Sequence, residues 1–168
     1  MNAPDQEKLS PDELQSFAGS ELFERTFAEG MALVDETARY LDGRGRDESR
    51  ALPREAATLY AAESMRVTTR LMQAASWLLI QRAVHEGDMS PEDAARDRYR
   101  LGSKEICLGS AVSGVESLPR TLCDLLLRSA TLYRRILRLD DVLFAAPVPA
   151  QDVRAHIDRL EEAFSQPV

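Results

Sequence analysis

Apolar residues recur at helical spacing along most of this chain, most densely from Glu55 to Gln81, within its longest run free of Gly and Pro. Tyr60, Val67, Leu71, Ala74 and Leu78 form one stripe, and Ala61, Met65, Met72, Ala75 and Leu79 form a second beside it. About half the helix circumference is then apolar, which predicts a central helix with partners on two sides. Pro53 suits a first turn and Gly87 the position just past the end, so the helix is expected over about 53–86, roughly 50 Å long.

Two further long helices flank it. Ser20 reads as an N-cap, and Phe23, Phe27, Met31, Val34, Ala38 and Leu41 then mark one face of a helix over about 20–42. From Leu118, leucines and their equivalents at 122, 125, 129, 132, 136, 139 and 143 keep four-three spacing, predicting a helix over about 117–144 that packs like a coiled-coil strand. Between the first two helices, Gly43 to Arg50 is charged and glycine-bearing and reads as a loop. Ser90-Pro91 opens a short polar helix to about Tyr99, and Gly102 to Gly114 reads as another loop.

The predicted architecture is all-α: an antiparallel three-helix bundle over 17–144 with short accessory helices and mobile termini. Residues 1–16 form an acidic N-terminal tail. Residues 145–168 form a C-terminal tail in which Val153, Ile157, Leu160 and Phe164 mark one face of a short amphipathic helix. That helix either docks on the bundle or folds on a partner.

Composition narrows the function classes. The 168 residues suffice for one domain with a sizeable core. The net charge of −7 lies wholly in residues 1–48, which hold twelve acids and five bases. Arg120, Arg128, Arg134, Arg135 and Arg138 on the third helix would suit phosphate, but no aromatic interleaves them and the acidic first helix is expected beside them. Nucleic acid is therefore not the expected partner. The acidic N-terminus lacks the apolar segment of a signal peptide, and the best apolar run, Ala74 to Ile80, is far short of a membrane span. Cys107 and Cys123 without a CxxC suit a reducing cytoplasm.

No catalytic constellation is present in the sequence. His85-Glu86 begins an HExxH pattern, but Met89 takes the second ligand position. Gly109 to Gly114 has phosphate-loop spacing, yet Val115 and Glu116 replace its Lys and hydroxyl residue. Neither an enzyme, a cofactor nor a metal is expected. Glu63, Arg66 and Arg70 lie in line with Trp77 on the central helix. They are either a solvated stripe or an interface with a subunit or partner, where Trp and Arg are enriched.

The words FAEGMALVDETARYLDGRG (Phe27 to Gly45), YAAESMRVTTRLMQAASWLLIQRAVHEGDM (Tyr60 to Met89) and the ending PVPAQDVRAHIDRLEEAF resemble the alphaproteobacterial RcdA family, regulators of CtrA degradation. The resemblance implies a three-helix bundle able to form a homodimer. It also implies a non-enzymatic cytoplasmic adaptor that tethers cargo, such as cell-cycle transcription factors, to a ClpXP protease primed by a small response regulator. Tethering raises effective concentration, which can multiply a weak affinity by about 10² to 10⁴. By the same resemblance Val153, Ile157, Leu160 and Phe164 are candidate partner contacts, with Arg44, Arg46 and Asp47 a second candidate set. Two other readings stay open: a dimeric DNA- or transcription-factor-binding regulator without a protease, and a structural scaffold.

Overall fold

The computed structural model describes residues 20–109 and 113–144, and every regular element among them is helical. Helix α1 spans Glu21–Asp42, α2 Arg44–Arg50, α3 Arg54–Glu86, α4 Pro91–Ala94, α5 Lys104–Leu108 and α6 Arg120–Phe144. Short 3₁₀ turns at Asp97–Tyr99 and Val115–Ser117 complete the order. Ser20 caps α1 by accepting the Phe23 N–H at 3.2 Å, and Glu21 and Glu24 face the positive end of its dipole. Ser90 caps α4 in the same way through the Asp93 N–H, with Pro91 in its first turn. Gly87 ends α3 at φ +80°, a left-handed conformation that glycine adopts without steric cost.

The segment 43–50, expected to be a loop, is a one-residue turn at Gly43 followed by helix α2. Its charges are spaced to pair along a helix: Arg44 with Glu48 at 2.7 Å, Arg46 with Asp42 at 2.8 Å, and Arg50 with Asp47. The Tyr40 hydroxyl ties it to α1 by donating to Glu48 Oε2 at 2.8 Å. Gly45 is buried at this corner, where a Cβ would lie 2.5 Å from the Tyr60 hydroxyl and 2.8 Å from the Tyr40 carbonyl oxygen. The segment 102–114, also expected to be a loop, contains α5, and the polar helix after Ser90 stops at Ala94.

Three long helices, α1, α3 and α6, touch one another. Helix α1 runs antiparallel to α3, since Glu24 pairs with Arg82 at one end while Gly45 meets Tyr60 at the other. It is antiparallel to α6 as well, where Arg135 pairs with Glu29 and Arg128 with Glu36. But α3 and α6 run parallel: Arg70 reaches the Leu126 carbonyl, and Trp77 reaches Asp140. The alternating directions expected from the sequence therefore fail for this pair. The cause is the connection from Gly87 to Pro119, which is long enough to walk back along α3 before α6 begins. At Gly30 all three meet: a Cβ there would stand 2.9 Å from Leu78 Cδ1 and 3.6 Å from Leu132 Cδ2.

The core uses faces slightly different from those the apolar pattern selects. On α1 the buried line is Phe23, Thr26, Gly30, Leu33, Thr37 and Tyr40, while Phe27, Met31, Val34 and Leu41 lie at its edge. On α3 the buried line is Ala56, Tyr60, Glu63, Val67, Arg70, Ala74, Trp77, Gln81 and Val84, with Leu71 and Leu78 beside it. These steps alternate four and three without a break, as in a coiled-coil seam. The second apolar stripe is turned outward, leaving Met65 72%, Met72 66% and Leu79 53% exposed.

The α2 corner should be intolerant of added volume. Gly45→Ala gains helix propensity worth about 1 kcal/mol but drives a methyl into a backbone carbonyl, so a net loss of about 1–3 kcal/mol is expected in urea unfolding. A stability equal to or above that of the parent chain would show that the corner is looser than this geometry.

Candidate partner-binding surfaces

Polar side chains on α3 and α6 hold the connection between those helices. Asp140, fully buried on α6, accepts the Trp77 indole N–H at 2.8 Å. The same carboxylate accepts from the Arg100 guanidinium, through Nε at 2.9 Å and Nη2 at 2.9 Å. Such a two-pronged pair fixes orientation as well as charge. Arg100 also lies over the Phe144 ring, 4.7 Å from its centroid. Two residues on, the Gly102 N–H donates to Gln73 Oε1 at 2.9 Å and its carbonyl accepts the Tyr133 hydroxyl at 2.7 Å.

Arg70 donates from Nε to the Cys107 carbonyl at 2.8 Å, capping the end of α5, and from Nη1 to the Leu126 carbonyl. Arg66 reaches the Gly109 carbonyl and pairs with Glu63 at 3.4 Å. Burial pushes the Arg70 pKa below its ordinary value, with the neighbouring Arg66 adding to the effect. Burial likewise raises the Cys107 thiol and the Tyr133 hydroxyl. Both cysteines are free thiols.

This seam corrects the solvated-stripe reading of the charged line on the central helix. Glu63, Arg70 and Trp77 are buried inside the single chain, and Arg66 is mostly covered. They are not a solvated stripe, because the returning connection and α6 pack over them, and Glu63, Arg66 and Arg70 line a cleft between those elements. Arg100, Asp140, Tyr133 and Gln73 were not singled out from the sequence. The signal the sequence does hold is the regular four-three register of α3, which places Glu63 and Arg70 on the buried line despite their charge but marks none of these four.

Arg44, Arg46 and Asp47 are exposed together on α2, each in a local ion pair. Val153, Ile157, Leu160 and Phe164 lie outside the described residues. On α6, Arg128 and Arg135 face α1 and are neutralised by it. Arg128 lies 2.7 Å from Glu36 and 3.0 Å from Asp124, and holds the Glu36 carboxyl below its usual pKa by hydrogen bonding. Arg134 and Arg138 point outward. An apolar groove of about 200 Å³ runs between α1 and α3, lined by Val34, Ala38, Leu41, Leu71, Met72 and Ala75. Among the described residues no three His, Cys, Asp or Glu side chains cluster as metal ligands, and no helix is long and apolar enough to cross a membrane.

Asp140→Ala would leave the Trp77 N–H and the Arg100 cation facing a buried void. A loss of about 3–5 kcal/mol is expected, followed in urea by the fluorescence of Trp77, the single tryptophan. Asp140→Asn keeps an acceptor for the indole and should lose less. A loss under about 1 kcal/mol for the alanine variant would mean that the seam contributes little.

With this geometry in place, the chain can be compared with known proteins. Residues 14–164 match the family described as "Protein of unknown function (DUF1465)". The crystal structure of RcdA from Caulobacter crescentus CB15 is 53% identical in sequence, with a TM-score of 0.65. The match covers 79% of this chain and 98% of that one. Among curated proteins none matches. The chain belongs to the RcdA-type family of DUF1465 proteins.

Proposed function

We propose that this protein is a non-enzymatic adaptor that tethers cell-cycle regulatory cargo to ClpXP primed by a response regulator, so that cargo is degraded on schedule. The observation that carries this reading is the 53% identity to RcdA over 98% of that chain. On this proposal the three long helices form a three-helix bundle, the protein works in the cytoplasm and it self-associates as a homodimer. The bundle breaks no bond; it raises the local concentration of cargo beside the unfoldase. The buried polar seam supports such a role, because it keeps the charged groups of α3 on internal work and leaves the outer faces of α1, α2, α3 and α6 for protein contact. Arg44, Arg46 and Asp47 on α2 are one proposed contact, and Val153, Ile157, Leu160 and Phe164 are another.

The test is turnover of a candidate cell-cycle regulator by purified ClpXP with its priming response regulator, with and without this protein, and with a version ending at Ala146. Adaptor activity predicts faster turnover, by tenfold or more at limiting cargo, with the full chain. Acceleration that requires residues 147–168 would place Val153 to Phe164 on a contact surface. Acceleration without them would make that segment dispensable for tethering. Unchanged turnover across several cargos would sink the adaptor reading in favour of a scaffold that acts without proteolysis.

A further inference from the structure

On the face of the molecule where α3, α6 and the returning connection meet there is a cleft of about 260 Å³. Val115, Leu126, Leu127 and Ala130 line it, together with the charged side chains of Glu63, Arg66, Arg70 and Arg134. The volume is below the 300 Å³ or more usual for small-molecule sites, which suits one or two side chains of a protein. Leu127 is 73% exposed, whereas Leu122, Leu125, Leu126, Leu132 and Leu143 of the same helix are buried. Leu127, Thr131, Arg134 and Arg138 follow one another at steps of four, three and four, so they line one outward stripe of α6 beside the cleft.

The charges on this stripe distinguish it from the rest of the helix. Arg128 and Arg135, on the α1 side, are each paired with acids of α1. Arg134 and Arg138 are exposed and, among the described residues, have no acidic side chain within ion-pair distance. Among the described residues these two cations thus stand without an acidic partner beside the cleft, although the net charge of the chain is −7. Arginine is the cation best suited to carboxylates, which it can bind in two-pronged fashion.

We infer that this α6 face binds an acidic peptide segment of a partner protein, with carboxylates on Arg134 and Arg138 and an apolar side chain seated against Leu127 in the cleft. A nucleic acid fits it less well. Val115, Leu126, Leu127 and Ala130 give the cleft an apolar side for an aliphatic side chain, and no aromatic residue lines it as a stacking platform. Peptide capture here goes beyond the adaptor reading and requires no protease, so failure in the turnover assay leaves it standing.

The experiment uses the full chain and a fluorescein-labelled hexapeptide of four glutamates and two leucines, followed by anisotropy at low and physiological salt. The inference predicts saturable binding, weakened at least about tenfold by Arg134→Glu with Arg138→Glu and by Leu127→Asp. Arg39→Glu, a charge reversal on α1 away from the cleft, should leave binding unchanged. Each variant is at an exposed position, and retained Trp77 fluorescence and helicity would confirm that it folds. No binding to the parent chain, or equal binding of peptides with glutamine for glutamate, would overturn the carboxylate contact. Equal loss with Arg39→Glu would reduce it to general charge attraction. Tighter binding of a labelled single-stranded oligonucleotide that the same variants abolish would replace the peptide with nucleic acid.

Discussion

The buried carboxylate of Asp140 sets where everything after Gly87 must lie. It joins three segments distant in sequence: α3 through Trp77, α6 through its own backbone, and the connection through Arg100. A fully buried acid is costly unless its hydrogen-bonding capacity is filled, and these two donors fill it. The net gain in stability over an apolar trio of similar volume is small by general experience with buried ion pairs. What the pair adds is position. An apolar residue at 100 could slide along the groove between α3 and α6, whereas a guanidinium held on two oxygens has one register.

That register explains the parallel course of α3 and α6. A short turn after α3 would send the next helix back antiparallel. Here the chain first returns along α3, and its exposed backbone groups need partners on the way. Gln73, Tyr133, Arg70 and Arg66 supply them in sequence at Gly102, Cys107 and Gly109. The polar residues of the central helix act as rungs that replace a missing layer of secondary structure. The same core carries two outward faces, the α1–α3 groove with Met72 and the α6 stripe with Leu127.

Local chemistry made parts of this legible in the sequence. Ser20, Ser90-Pro91 and Gly87 each dictate a helix boundary by satisfying or avoiding an orphan backbone group, and such signals need no tertiary context. The leucines of α6 are legible for the same reason, since one apolar line admits one buried face. The central helix misleads because hydrophobicity and burial diverge there. Met65, Met72 and Leu79 are apolar but exposed, while Glu63, Arg70 and Gln81 are polar but buried. Only spacing shared with Val67, Ala74 and Trp77 reveals the true seam, and hydropathy weighs against it. Arg100 carried no local signal: its role depends on a partner forty residues away.

Charge placement completes the argument. The acids of α1 are not surplus, as a count over the first 48 residues suggests, because Glu24, Glu29 and Glu36 each meet an arginine of α3 or α6. These exposed pairs contribute little individually, about 0–1 kcal/mol, and salt screens them. Their larger effect is on what the surface offers. By neutralising Arg82, Arg128 and Arg135, α1 removes one side of the basic helix from contention as a phosphate site. Of the α6 cations that remain, Arg120, Arg134 and Arg138, Arg134 lines the cleft beside Leu127 and Arg138 follows it one turn on. A surface of that composition selects for carboxylates accompanied by apolar side chains, which is the chemistry of a protein segment.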